Sequence, residues 1–173
     1  MRYLILIFIF LAVNAAVFSQ SPTVEQPTEP FPFNLSLYKP DSTLVESTAI
    51  FSKKNNATLV AFWLTTCFPC ANELDAYNSN YEIWKKEYGL EIVAVSMDLA
   101  ERFRKIEERL VTKKYAFPVF WDRIRAFKTI MPGGLNGYPQ VFLFDKNGQL
   151  VWRKKGYLQG DELKMLEEVK KLN

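Results

Sequence analysis

The stretch ATLVAFWLTTCFPCANELDAYNSNYEIWKKEY, Ala57 to Tyr88, decides how the rest of the chain must be arranged. It opens on an apolar, β-rich run, Leu59-Val60-Ala61-Phe62-Trp63-Leu64, the composition of a strand buried on both faces. Two threonines and then Cys67-Phe68-Pro69-Cys70 follow. Apolar and aromatic residues next recur at Cys70, Leu74, Tyr77, Tyr81, Trp84 and Tyr88, alternating steps of four and three that make one stripe of a helix. Pro69 falls in the first turn, where a helix tolerates it. Glu73 and Asp75 lie toward the positive end of that helix, Lys85 and Lys86 toward the negative end, and Gly89 can supply a left-handed stop. Cys67 is therefore expected at the helix start and Cys70 one turn in.

Unpaired backbone N–H groups at a helix start favour an anion, so Cys67 should ionise more readily than a free thiol of pKa about 8.5. The thiolate is the nucleophile, and the i, i+3 spacing brings Cys70 close enough to attack any mixed disulfide that Cys67 forms. A junction that activates one sulfur and positions a second is a dithiol exchange site.

The composition narrows the alternatives. With 173 residues and 49% hydrophobic content there is room for one ordinary core. Without the N-terminal segment, which holds only Arg2, the balance is 21 basic residues against 19 acidic, too even to argue for nucleic acid or an anionic membrane surface. Arg102, Arg104, Lys105, Arg109, Lys113 and Lys114 interleave with Leu99, Phe103, Ile106 and Leu110 and read as the wet face of an amphipathic helix. No histidine is present, which excludes Ser-His-Asp and Cys-His catalysis and His-ligated metals. Two cysteines alone cannot close a four-ligand zinc site, so no metal and no cofactor beyond the cysteine pair is expected.

Met1 to Ser19 carries one charge and an apolar run from Leu4 to Val13, too short to span a bilayer comfortably, with small residues suiting cleavage before Gln20. It reads as a signal peptide, an uncleaved anchor being the alternative. Either way the remainder is exported, where disulfides persist. Residues 20–32, with four prolines and no glycine, read as a disordered linker. Residues 33–173 then form one α/β domain. A short hairpin around Lys39-Pro40-Asp41-Ser42 precedes the main strand, and a second buried strand, Leu90 to Met97, leads to a helix from about Leu99 to Lys114. After the apolar run Phe117 to Trp121, Asp122 should cap a helix reaching about Met131. Two strands flank the hairpin turn Asp145-Lys146-Asn147-Gly148, and Asp161 should cap a last helix with Leu163, Leu166, Val169 and Leu172 on its apolar side.

The segments VAFWLTTCFPCANEL, LEIVAVSMD and GYPQVFLFDKNGQLV, in this order and spacing, resemble the exported TlpA/ResA-like thiol-disulfide oxidoreductases of the thioredoxin superfamily. The resemblance runs from about Asn34 to the C-terminus. It implies a thioredoxin-like fold, a central mixed sheet flanked by helices, with an N-terminal β-hairpin extension. It also implies a cis proline at Pro139, opposite the cysteines, leaving the backbone of Tyr138 open to a substrate strand. A trans proline that merely begins an edge strand is the alternative. ResA-like members carry a glutamate three residues after the second cysteine, and Glu73 occupies that place. It could be a buried base for Cys70 or an exposed acid at the helix start; both readings stay open here. The sequence departs from the family pattern at Thr66, where a tryptophan is usual, and at Gln140, where threonine is common. Substrate contacts are expected at Thr66, Phe68, Tyr138 and Pro139, and catalysis at Cys67, Cys70 and Glu73.

The implied activity is thiol–disulfide exchange, as a reductase, on disulfides of exported proteins. Electrons would come from a membrane-embedded thiol donor, and cytochrome c maturation is one setting in which such proteins work. The chain is expected as a monomer in the bacterial periplasm or on the outer face of the membrane, without nucleic acid. The rival reading is a thioredoxin-fold binding module whose Cys67–Cys70 bond is only a staple, although so short a loop gains little from closure. A peroxidase fits less well, because such sites place threonine three residues before the nucleophile and Leu64 stands there.

Overall fold

The structure, a computed structural model, describes Phe31, residues 34–51 and residues 56–173. The expected signal peptide and nearly all of the expected linker lie outside the described residues. Strands β1 (Ser36–Tyr38) and β2 (Leu44–Glu46) form the N-terminal hairpin, followed by one helical turn, α1 (Ser47–Ile50). Then come β3 (Thr58–Trp63), α2 (Phe68–Tyr88), β4 (Glu91–Ser96), a 3-10 turn at Ala100–Arg102, and α3 (Phe103–Lys113). The chain finishes with β5 (Val119–Trp121), α4 (Phe127–Ile130), β6 (Gln140–Phe144), β7 (Leu150–Lys155) and α5 (Asp161–Lys170).

Among the described residues the strands make one mixed seven-stranded sheet in the order β2-β1-β5-β4-β3-β6-β7. Strands β3, β4 and β5 run parallel, while β6 returns antiparallel to β3 with Thr58 opposite Phe144 and Phe62 opposite Gln140. Side chains of a strand alternate between faces, and both faces of β3 are covered. Leu59, Ala61 and Trp63 pack with Leu74, Tyr77, Tyr81 and Trp84 of α2 and with Met165 and Val169 of α5. Val60 and Phe62 pack on the other side with Phe142, Phe144, Phe127 and Met131. The expected thioredoxin-like arrangement of a mixed sheet between helices is the one observed.

Four local expectations need correction. Phe31, inside the stretch read as linker, is only 5% exposed; its ring stacks on Phe144 at 4.1 Å and meets Phe51 at 4.4 Å. Its N–H donates to the carbonyl of Gly148, and a Cβ at Gly148 would come within 1.9 Å of the Phe31 oxygen, so glycine is needed for this approach. The helix expected from Leu99 begins as a 3-10 turn and becomes α-helical only at Phe103. Asp122 does accept N–H bonds, from Ala126 at 3.0 Å and Phe127 at 2.8 Å, but Arg125 takes a left-handed conformation and only the single turn α4 forms beyond it. In α5, Asp161 is the first helical residue rather than the cap, and the buried face is Asp161, Met165, Leu166 and Val169, with Leu163 exposed.

Candidate active site

Strand β3 ends at Trp63, and the chain turns sharply: the N–H of Cys67 donates to the carbonyl of Leu64 at 3.1 Å. Cys67 is the N-cap of α2, in extended conformation (φ −93°, ψ 106°), and its sulfur accepts the N–H of Cys70 at 3.2 Å. Pro69 sits in the first turn, where its missing N–H costs nothing. Gly89 closes the helix in a left-handed conformation, with Lys85 and Lys86 in the last turn. Cys67 and Cys70 are joined as a disulfide. Their environments differ: Cys67 is half-buried, whereas Cys70 is fully sealed at 0% exposure. Only Cys67 can be approached from outside.

Glu73, one turn past Cys70, is 2% exposed, so the reading of it as a solvent-facing helix-start acid does not describe its surroundings. Burial pushes its carboxyl up to about 8, against the opposing hydrogen bond from the Tyr77 hydroxyl (3.2 Å to Oε1) and the nearby charge of Lys154. Asp161 and Glu162 add to the upward push. Near neutrality the group therefore holds a proton and can exchange it.

The register of β6 on β3 carries Pro139 to the end of the sheet from which Cys67 emerges. The Tyr138–Pro139 peptide is cis, Pro139 is buried, and its carbonyl accepts the N–H of Gly156 at 2.8 Å. Tyr138 is half-buried between the two cores. Burial raises its phenol, with Arg125 opposing and Asp122 and Asp98 reinforcing the rise. Thr66 is exposed, and Phe68 is 74% exposed beside Cys67. Gln140 donates from Nε2 to the Gly134 carbonyl at 3.3 Å, while its Oε1 is buried with no partner among the described residues. A groove of about 460 Å³ opens between Phe68, Pro69 and Asn72 on α2 and Tyr157 and Leu158 beyond β7.

The sequence pattern did not single out Asp98 or Thr65. Asp98, 1% exposed, binds the backbone and hydroxyl of Thr65 across the sheet. The only signal in the chain was an acidic residue directly after a buried apolar strand.

A cysteine pair at a strand-to-helix junction of a helix-flanked mixed sheet, with a cis-proline loop at the same end, defines a thioredoxin-like protein. Residues 29–153 match the AhpC/TSA family, and the chain belongs to it. Over 124 residues, 68% of the chain, it is 30% identical to the thiol-disulfide oxidoreductase ResA of Geobacillus thermodenitrificans (strain NG80-2); the match spans 65% of that relative's length. A thioredoxin-like protein from Porphyromonas gingivalis superposes with a TM-score of 0.69 at 27% identity, over 81% of this chain and 90% of that one. The crystal structure of a DsbE-type thiol:disulfide interchange protein from Chlorobium tepidum shares the fold (TM-score 0.70, 19% identity, 87% and 99% covered).

Proposed function

We propose that this chain is a thiol–disulfide oxidoreductase that reduces disulfides of exported proteins. The observation that carries this reading is the asymmetry of the pair: an approachable Cys67 capping α2 is bonded to a sealed Cys70, with the proton-holding Glu73 one turn beyond. In the reduced form the Cys67 thiolate attacks one sulfur of a substrate disulfide, expelling the other as a thiolate. Glu73, when ionised, takes the proton of Cys70, whose thiolate then attacks the Cys67 sulfur and releases the second substrate thiolate. The substrate disulfide gains two electrons and leaves as two thiolates, the cysteine pair loses the same two electrons as its own disulfide forms, and the Cys70 proton rests on Glu73 until solvent or a released thiolate takes it. The exposed Phe68 and Thr66 and the half-buried Tyr138 are the surface offered to the substrate, beside Pro139.

The apolar N-terminal run and a disulfide-based site favour export to a periplasm or an outer membrane face, where a reductase needs electrons from a membrane thiol donor. Cytochrome c maturation is a setting for this activity, with the chain acting as a monomer. The test is reduction of insulin by dithiothreitol with the full chain beside Cys67→Ser and Cys70→Ser. The parent should accelerate reduction, Cys67→Ser should not, and Cys70→Ser should retain its physiological substrate as a mixed disulfide in the native host. Equal rates for the parent and Cys67→Ser would leave the pair as a staple.

A further inference from the structure

We infer that Asp98 is a positioning residue of the exchange site, its side chain holding the turn that carries Cys67 over the start of α2. The inference rests on the oxidoreductase reading above. Asp98 follows β4, and its carboxyl collects hydrogen bonds from the turn. Oδ2 accepts the Thr65 N–H at 2.8 Å and the Ser96 hydroxyl at 2.8 Å, and Oδ1 accepts the Thr65 hydroxyl at 2.8 Å. The main chain beside it is braced from the opposite side. The Trp121 indole N–H donates to the Asp98 carbonyl and Arg125 Nε to the Met97 carbonyl, each at 2.8 Å, while the Asp98 N–H donates to Ser96 Oγ at 3.1 Å. One residue thus ties the ends of β4 and β5 to Thr65, two residues before Cys67. On the proline loop, Tyr138 feels its charge together with those of Asp122 and Arg125.

The chemistry of the side chain matters as much as its place. Thr65 presents two donors and Ser96 a third, so both oxygens must accept. An asparagine keeps one acceptor but turns an NH2 group toward a donor, which opens at least one of these bonds. The turn itself contains no glycine, Leu64 contributes only its carbonyl, and the Thr66 side chain makes no hydrogen bond among the described residues. The 3.2 Å contact between the Cys67 sulfur and the Cys70 N–H needs this backbone geometry, and hydrogen bonds weaken steeply with misalignment. A turn freed from Asp98 lets the sulfur drift from the helix start, and the thiolate loses its stabilisation.

Position and charge act in opposite directions, which makes the role testable. Were Asp98 only a negative charge near the site, its removal would ease ionisation of Cys67. Removal of a positioning group hinders it instead. The experiment uses the full chain, reduced, with iodoacetamide alkylation of Cys67 followed against pH and the disulfide potential measured against glutathione. Asp98→Asn should move the alkylation midpoint up by about one pH unit and slow alkylation near pH 7 about tenfold. Thr65→Val should shift it the same way by less, Thr65→Ser should stay near the parent, and the double variant should be no worse than Asp98→Asn. If Asp98→Asn does not fold cooperatively, Thr65→Val, which leaves the carboxyl in place, decides. An unchanged or lowered midpoint in the folded variant overturns the inference. Midpoint and potential are read on the cysteine pair itself, so they judge Asp98 even if the parent fails to reduce insulin, which would instead sink the oxidoreductase reading.

Discussion

At Glu73 the loss of water outweighs both the Tyr77 hydrogen bond and the Lys154 charge, and the carboxyl holds its proton up to about pH 8 against an ordinary 4.5. Between these values the folded chain binds more protons than the unfolded chain, so stability falls as pH rises. The full contribution is present below about 4.5 and is lost as pH climbs through about 8. At roughly 1.4 kcal/mol per unit, the slope amounts to a few kcal/mol across the window. Glu73→Gln should flatten it, as read by urea unfolding of the oxidised chain at pH 5 and pH 8.5. The same variant should slow the resolving step and remove its pH dependence. Parallel stability profiles for parent and variant would show that Glu73 is not the titrating group.

Among the elements, α5 shows how a helix start is secured by groups on both sides of it in the chain. The Asp161 carboxyl accepts the Leu158 N–H at 2.8 Å and pairs with Lys164 at 2.9 Å and Lys154 of β7 at 3.0 Å. Burial works to raise it, but the Lys164, Leu158 and Lys154 hydrogen bonds win and hold it at about 2. Its contribution is therefore present above about 3.8 and disappears as pH falls toward 2. Asp161→Asn should lower the melting temperature at pH 7 and weaken the acid limb of the stability profile between about pH 4 and pH 2; an unaltered acid limb would assign that limb to other carboxyls. The central elements were legible because their periodicity is strong: β3, α2 with its stripe and caps, and the β6–β7 hairpin fall where the sequence put them. Two apolar stripes overlap in α5, and only packing against α2 and the sheet chooses Met165 over Leu163. Asp98 was not legible, because its partner Thr65 lies 33 residues away and a lone acid after a strand has no local signature. Arg125 in a left-handed conformation likewise broke a helix that Asp122 alone suggested.

For the whole molecule, the register of β6 on β3 separates two ends of the sheet by the length of a six-residue strand, roughly 20 Å. Cys67 and Pro139 lie at one end, and Phe31 is seated on Gly148 at the other. Phe31→Ala should cost about 3 kcal/mol, typical of emptying a buried aromatic site. Gly148→Ala should also destabilise, because its positive φ and the Phe31 oxygen both oppose a side chain. Combined, the two should cost less than their sum, since one lost contact serves both; thermal melting of the four chains checks this, and strict additivity would mean that the two residues act independently. At the opposite end, the sealed Cys70 leaves a single doorway. If the chain works as the proposed oxidoreductase, whatever loads electrons and whatever draws them off must knock at the same sulfur, so the two visitors take turns, and a crowd of either one starves the other.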